Sequence, residues 1–367
     1  MKDKFKVIHV ITSPCAGGAE LLVRELTKRT NKLGINCKAV YFNNWAECAK
    51  TIRLSENEEH LNISYQSPFA IIKLRKFLKS ELVENPSLIV HAHLTWPMFF
   101  VPLACIGLAV KLVFTEHSPT NKRRNIFFFN HLEKLFYNRY NSIIAITDGV
   151  KKSLLNWIGF SISGKLTKIY NGARFFTYKE RKKMGNNRIK FLSIGSLTTQ
   201  KGFDNAIKAL SKLQGINWQY EIVGYGPLRS DLEKLIISLN LKDKVVLSGW
   251  CTNLEEKYHN SDIQLIPSRW EGFGLVAVEG MSTGLPVIAS DLKGINEVVS
   301  STVDSCFLVK NSDNIVEWVD QIKLCINALE KDLVHISKQS YLHSKKFSLE
   351  KMTKNYIDLY RQVLNDG

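Results

Sequence analysis

The sequence predicts an α/β protein built from two doubly wound, parallel-sheet domains joined end to end. Three observations lead there. At 367 residues the chain exceeds the roughly 250–300 residues beyond which a single hydrophobic core stops growing. Short apolar runs rich in β-formers recur between helix-length amphipathic stretches, the pattern of a parallel sheet covered by helices on both faces. After a hydrophilic interruption the same alternation starts again.

In the first half the expected strands are Lys6–Ile11, Cys37–Phe42, Leu88–Ala92, Lys111–Thr115 and Ser142–Ile146. In the second they are Lys190–Ile194, Trp218–Val223, Val245–Leu247, Ile263–Pro267 and Pro286–Ala289. The join is expected near Ala173–Arg188, where Lys179, Glu180, Arg181, Lys182, Lys183, Gly185 and Asn186 break the periodicity. The last stretch, Ser348–Leu364, reads as one helix with Leu349, Met352, Tyr356, Leu359, Tyr360 and Val363 on one face; by pattern alone it packs on either domain. The expected division is therefore 1–175, 176–347 and 348–367.

Phe5–Ile11 is too short for a signal-peptide core and leads into a glycine-rich loop, so it reads as a first strand. Trp96–Phe114 is the one candidate membrane span, but Pro97, Pro102 and Lys111 interrupt it, which favours a buried helix followed by a strand. The seven cysteines are scattered and never spaced C-x-x-C, which argues against a disulfide framework or a zinc knuckle and fits a reducing cytoplasm.

An apolar content of 45% excludes a disordered chain. The formal charge is +16, from 50 Lys+Arg against 34 Asp+Glu. It is not evenly spread: Ser118–Lys190 holds 16 Lys+Arg and 3 Asp+Glu, a net +13. Such a stretch attracts a polyanion, whether nucleic acid, an anionic membrane or a phosphate-rich substrate.

Sheets of this kind bind ligands at the carboxyl ends of their strands, where loops lead into helix N-termini; two such domains facing each other place a cleft between those loops. Gly17-Gly18-Ala19-Glu20 follows the first strand and opens a helix, where glycines admit a close ligand and unpaired N–H groups attract anions. The three-glycine dinucleotide fingerprint is absent. The same strand-loop-helix shape returns at Gly195-Ser196-Leu197 through Lys201-Gly202, where Lys201 suits a phosphate, and at Val223-Gly224-Tyr225-Gly226-Pro227. In Pro267-Ser268-Arg269-Trp270-Glu271-Gly272-Phe273-Gly274-Leu275, followed by Glu279, two carboxylates flank glycines at the start of a helix. Backbone donors for an anion beside carboxylate acceptors for hydroxyls are what a sugar joined to a nucleoside by a diphosphate requires.

In the order and spacing of these motifs the chain resembles glycosyltransferase family 4, a group of retaining GT-B enzymes, over essentially its whole length. The strand ending His91-Ala92-His93, then Thr115-Glu116-His117, Ile169-Tyr170-Asn171-Gly172 and Gly284-Leu285-Pro286-Val287-Ile288-Ala289 add to the match. The resemblance implies two Rossmann-like domains across a cleft, with the terminal helix packed back on the N-terminal, acceptor-binding domain. It implies a metal-independent transferase without a cofactor beyond its nucleotide-sugar co-substrate. Glu271 would bind donor-sugar hydroxyls, with the Phe273, Gly274 and Leu275 backbone beside Gly272 donating to sugar and β-phosphate. Glu279 would hold the ribose, Lys201 the diphosphate, and Gly195, Ser196 and Gly224 would line the donor. Gly17 and Gly18 would approach it from the other domain, and His117 would contact the sugar near the reacting carbon.

Ser196 stands where the family commonly has arginine, and the missing charge would come from Arg269 or from the other domain. Lys293-Gly294 stands where two glycines are frequent. His91, His93 and His117 lie at the ends of different strands with no Asp or Cys cluster, so structural or substrate-contacting roles outweigh a metal site, and no metal is expected. A two-carboxylate hydrolase does not need the phosphate-type loops. In the basic stretch Lys122, Arg123 and Arg124 precede Phe127 and Phe128, and these residues with His93 form the candidate acceptor and membrane set; the competing reading has Phe128, Leu132 and Phe136 facing the core. No nucleic-acid module accompanies the charge.

The function expected is transfer of a hexose or N-acetylhexosamine from a UDP-type donor to a lipid-linked glycan, in O-antigen lipopolysaccharide, capsule or related polysaccharide synthesis. The partners are the nucleotide sugar, that acceptor and an anionic membrane surface. The expected location is cytoplasmic, peripheral on the cytoplasmic face of the inner membrane. A nucleotide-sugar 2-epimerase and a catalytically inactive nucleotide-sugar binder are the alternatives on this fold.

Overall fold

The computed structural model describes residues 5–14, 17–42, 53–119, 121, 124, 129–181 and 188–366. It divides the chain into two compact units, Met1–Gly172 with Leu349–Gly367, and Ala173–Ser348. The boundary falls at Gly172, slightly before position 175, because Ala173 already belongs to the second unit: it pairs with Ser348 in an isolated bridge and its N–H donates to the Phe347 carbonyl. The Gly172 N–H, in contrast, reaches the Met352 sulfur in the first unit.

The first unit carries β1 (Lys6–Ile11), α1 (Gly18–Lys32), β2 (Asn36–Tyr41), β3 (Glu58–His60), α2 (Ala70–Glu84), β4 (Leu88–His93), α3 (Thr95–Ala104), β5 (Lys111–Glu116), α4 (Phe129–Arg139), β6 (Ser142–Ala145), α5 (Asp148–Ile158) and β7 (Leu166–Lys168). Its strands order as β3-β2-β1-β4-β5-β6-β7, all parallel. β1 and β4 are buried along their whole length, as central strands covered on both faces must be. The helix Leu349–Asn365 closes this unit, burying Leu349, Met352, Tyr356, Leu359, Tyr360 and Val363 against Phe5, Leu22, Leu26 and Ile89.

The second unit repeats the plan with β8 (Ile189–Ile194), α6 (Phe203–Leu210), β9 (Trp218–Val223), α7 (Arg229–Ser238), β10 (Val245–Gly249), α8 (Leu254–His259), β11 (Ile263–Ile266), α9 (Leu275–Ser282), β12 (Val287–Ser290), α10 (Ile295–Val298), β13 (Cys306–Val309) and α11 (Ile315–Ser344). Strand order is β10-β9-β8-β11-β12-β13, again parallel throughout. α11 breaks at Asp332, whose backbone leaves the helical region. Trp96–Phe114 resolves into α3 and β5, and no helix among the described residues is long and apolar enough to cross a membrane. The sequence reading lacks β3, β7 and β13, short strands at sheet edges where too few residues are present to show a periodicity.

The core of the first unit contains three imidazoles. His9 on β1 lies in register with His91 on β4, and His93 follows two residues on; all three are fully buried. His91 Nδ1 lies 2.8 Å from the Tyr360 hydroxyl and its Nε2 2.8 Å from Thr115 Oγ1, which itself lies 3.3 Å from the Tyr356 hydroxyl. His91 is thus a structural residue that ties the terminal helix to the sheet. Burial drives His9 down to about 3 and holds His91 and His93 well below the ordinary 6.5.

Because the folded protein refuses protons that the unfolded chain accepts below pH 6.5, stability is lost as pH falls below that value. The loss approaches about 1.4 kcal/mol per pH unit for each buried histidine. The urea midpoint is expected to drop steadily between pH 6.5 and 5, above the range where carboxylates titrate. A midpoint that stays flat over that interval contradicts the neutral, buried cluster.

Candidate functional site

In the second unit the chain winds from β8 outward to β9 and β10 on one side, and through β11 to β12 and β13 on the other. The loops after β8 and β11 therefore meet at the switch point, where open α/β sheets bind ligands. Backbone bonds sew three loops together. Gly195 N–H donates to Val223 O at 3.0 Å, Leu197 N–H to Tyr225 O at 3.0 Å, Leu228 N–H to Leu197 O at 3.0 Å, and Arg269 N–H to Gln200 O at 2.8 Å. Two glycines make this approach possible. A Cβ on Gly224 would sit 1.8 Å from the Gly195 carbonyl oxygen, and one on Gly202, at φ +60°, would sit 2.1 Å from the Pro267 carbonyl oxygen.

Lys201 and Glu271, expected from separate motifs, form an ion pair across these loops, with Nζ 2.6 Å from Oε2. The other carboxylate oxygen accepts the Gly272 N–H at 3.1 Å. Phe273 is buried and stacks edge-on against Phe347, which anchors the loop from beneath. Gly274, in the left-handed region at φ +84°, is the N-cap of α9 and brings no side chain to its first N–H groups, starting with Leu275. Such a terminus carries partial positive charge and unfilled donors. The structure thus gathers a lysine, a carboxylate and the start of a helix at one place.

Glu279 lies one turn into α9 and is buried, its carboxylate accepting from the Tyr258 hydroxyl at 3.2 Å and from Arg174 Nε at 3.2 Å. Burial pushes its carboxyl upward, opposed by Arg174 and by the tyrosine. A buried, pre-oriented carboxylate of this kind accepts well from paired hydroxyls.

Arg269, one of the two sources expected for the missing diphosphate charge, is engaged within its own unit. Its guanidinium makes a double hydrogen bond to Asp204, at 2.9 Å to each oxygen, and also reaches Asp313 and the Thr199 carbonyl. The fork geometry of arginine is used here to clamp the β11 loop onto the start of α6. Ser196 is exposed at the edge of its loop.

In the first unit Gly17 is the N-cap of α1 and Gly18 its first residue, again with no side-chain cap. His117 follows β5, half-buried, with Nε2 3.2 Å from His93 Nδ1; burial lowers it to about 4. Among the candidate membrane residues, Lys122, Arg123, Phe127 and Phe128 lie outside the described residues. Arg124 is not a free surface cation: it pairs with Glu116 at 3.3 Å and donates to Ser153 and to the Pro119 carbonyl. Other charges of the basic stretch are also engaged inside their own units. Lys168 pairs with Asp148, Lys165 donates to the Asn138 and Tyr140 carbonyls, Arg174 binds Glu279, and Arg181 donates to the Tyr258 and Ser261 carbonyls.

Of the core-facing reading, Leu132 fails and Phe136 fits, half-buried with its ring edge-on to Phe99 at 4.9 Å, while Phe128 lies outside the described residues; the rest of α4 turns differently. Its buried positions are Glu133, which accepts from Trp157 Nε1 at 2.7 Å, and Tyr137, which donates to Glu116 at 2.9 Å. Leu132 and Leu135 turn outward, 43% and 67% exposed, beside the exposed Lys134 and Arg139. Sequence reasoning also missed two aromatic faces on neighbouring strands of the second unit, Tyr225 after β9 and Trp250 after β10, 73% and 74% exposed. Their aromatic character is plain in the sequence, but exposure at a strand's carboxyl end is a tertiary property.

A family model described as Glycosyltransferase Family 4 matches residues 16–174, and one described as Glycosyl transferases group 1 matches residues 175–341. An uncharacterized glycosyltransferase of Methanocaldococcus jannaschii is 33% identical over 46% of this chain and 44% of its own length. A second one from that organism is 25% identical over 95% and 96%. The Escherichia coli O-antigen biosynthesis glycosyltransferase WclY is 26% identical over 59% and 61%. Among solved structures, a glycosyltransferase from Rickettsia africae superposes with a TM-score of 0.84 at 21% identity, covering 100% of both chains. Anabaena HepE, solved with UDP, does so at 0.81 and 19%, covering 98% of this chain and 100% of its own. The chain belongs to the family 4, group 1 glycosyltransferases of the GT-B fold.

Proposed function

We propose that this glycosyltransferase moves a hexose or N-acetylhexosamine from a UDP-sugar to a hydroxyl of a lipid-linked glycan during surface-polysaccharide synthesis, with retention at the anomeric carbon. The observation that carries the donor half of this reading is the Lys201–Glu271 pair beside the uncapped start of α9. Departure of a nucleoside diphosphate develops negative charge, and a fixed lysine with oriented helix donors stabilises that charge without reorganising. Glu271 then holds sugar hydroxyls, Glu279 the ribose, and Tyr225 or Trp250 offers a flat face to the base. His117 contacts the donor sugar. The donor binds through these side chains alone, with no metal. Retention rests on the family resemblance.

The UDP carried by HepE and the O-antigen role of WclY support the nucleotide and the pathway class. For the acceptor, the support is the outward Leu132 and Leu135 flanked by Lys134 and Arg139, an apolar and cationic face suited to an anionic bilayer surface. On this reading the enzyme works on the cytoplasmic side, where nucleotide sugars and lipid-linked acceptors meet.

Glu271→Gln, which removes the acceptor for the sugar hydroxyls and the partner that fixes Lys201, is expected to lower transfer from a labelled nucleotide sugar by about 10²–10³-fold, the size of loss usual when a preorganised electrostatic contact is broken, with circular dichroism unchanged. Near-normal transfer in that variant removes Glu271 from the reaction, and epimer formation without acceptor supports the 2-epimerase instead. Leu132→Asp with Leu135→Asp is expected to release the protein from phosphatidylglycerol vesicles at low salt while leaving transfer to a soluble acceptor intact. Equal sedimentation of variant and wild type with those vesicles, or no sedimentation of either, sinks the membrane face.

A further inference from the structure

We propose that His93, backed by His9, is a positioning residue that fixes His117 in the tautomer protonated on Nδ1. The inference rests on the reading in which His117 contacts the donor sugar. Three imidazoles form a single line: His9 Nδ1 lies 2.9 Å from His93 Nε2, and His93 Nδ1 lies 3.2 Å from His117 Nε2. Each neutral ring has one N–H and one lone pair, so all bonds in such a line point the same way.

The buried end decides the direction. His9 Nε2 is sealed in the core with no partner among the described residues. An orphaned N–H there costs more than an orphaned lone pair, and natural cores rarely contain one. His9 therefore carries its proton on Nδ1 and donates to His93; His93 carries its own on Nδ1 and donates to His117. His117 Nε2 is left accepting, and its proton is on Nδ1, the nitrogen with no bond among the described residues. Burial, which lowers His9 and His117 to about 3 and about 4, keeps the line uncharged. His91 stands outside it, both nitrogens taken by Tyr360 and Thr115, and stacks on His93 at 4.1 Å so that the His93 ring cannot turn freely.

His9, His91 and His93 are also close enough to hold a cation. Five of their six ring nitrogens are already hydrogen-bonded, and no carboxylate joins the group to balance the charge. The geometry therefore favours the hydrogen-bonded line. Its chemical use is direct. Glycosyl transfer passes through a cationic, oxocarbenium-like state, and an uncharged N–H donor binds a sugar hydroxyl without repelling that state, as an imidazolium would.

The test is the long-range nitrogen–proton spectrum of the full chain labelled with ¹⁵N-histidine. The expected wild-type result is His117 with Nδ1 protonated and Nε2 bare. His93→Phe should shift His117 toward the Nε2-protonated form and lower kcat/KM by about 10- to 100-fold, the usual worth of a partner that orients a working imidazole. His93→Asn, whose amide keeps a donor near the Nδ1 position, should restore much of both. An Nε2-protonated His117 in the wild type, an unchanged tautomer in a folded His93→Phe, or stoichiometric zinc in the purified chain overturns the proposal. If His93→Phe does not fold, the wild-type spectrum still decides. The spectrum needs no donor or acceptor, so inactivity with every nucleotide sugar would refute the proposed function while leaving the tautomer result standing.

Discussion

A strand in a parallel sheet must be re-entered from the end at which its predecessor began, so every strand delivers its carboxyl end to the same edge. In the second unit this constraint does most of the site building. It sets the loops after β8, β9 and β11 side by side, and the backbone bonds around Gly195, Leu197 and Gln200 hold them there. Only then do Lys201 and Glu271, seventy positions apart in the chain, come within 2.6 Å. Their pairing satisfies both charges within one site and sets the lysine beside the donors of α9.

The first unit obeys the same rule with a different outcome. β1, β4 and β5 bring His9, His91, His93 and His117 into one region, where burial rather than ion pairing governs the chemistry. The terminal helix adds Tyr356 and Tyr360 to this cluster, so its docking and the imidazole network depend on each other. The imidazole that meets His117, His93, is itself part of the core.

Much of this was legible in the sequence, and the limits are physical. Lys201, Glu271 and Glu279 could be found because each sits in a glycine-marked loop or at a helix start, a local signal. The partners of Arg269 could not, since Asp204 and Asp313 approach it only through the fold. In α4, Leu132 and Phe136 have helical spacing, and so do Glu133 and Tyr137. The polar pair lies inside because Trp157 and Glu116 await it. His9 carries no signal at all, being one polar residue in an apolar strand. The net +13 of Ser118–Lys190 suggested a broad surface patch. In the fold Arg124, Lys165, Lys168, Arg174 and Arg181 bind their own unit, and what remains for an anionic partner is correspondingly narrower.

The central claim is that the loops after β8 and β11, through Lys201, hold the diphosphate of a nucleotide sugar. Thermal unfolding with a panel of nucleoside diphosphates and their parent nucleosides tests it most directly, because a ligand that binds the folded state raises the midpoint, and at equal concentration a tighter one raises it more. The account predicts a clear rise with UDP, little with uridine, and loss of most of the difference in Lys201→Ala. No rise with any nucleoside diphosphate, or an equal rise in Lys201→Ala, would contradict it.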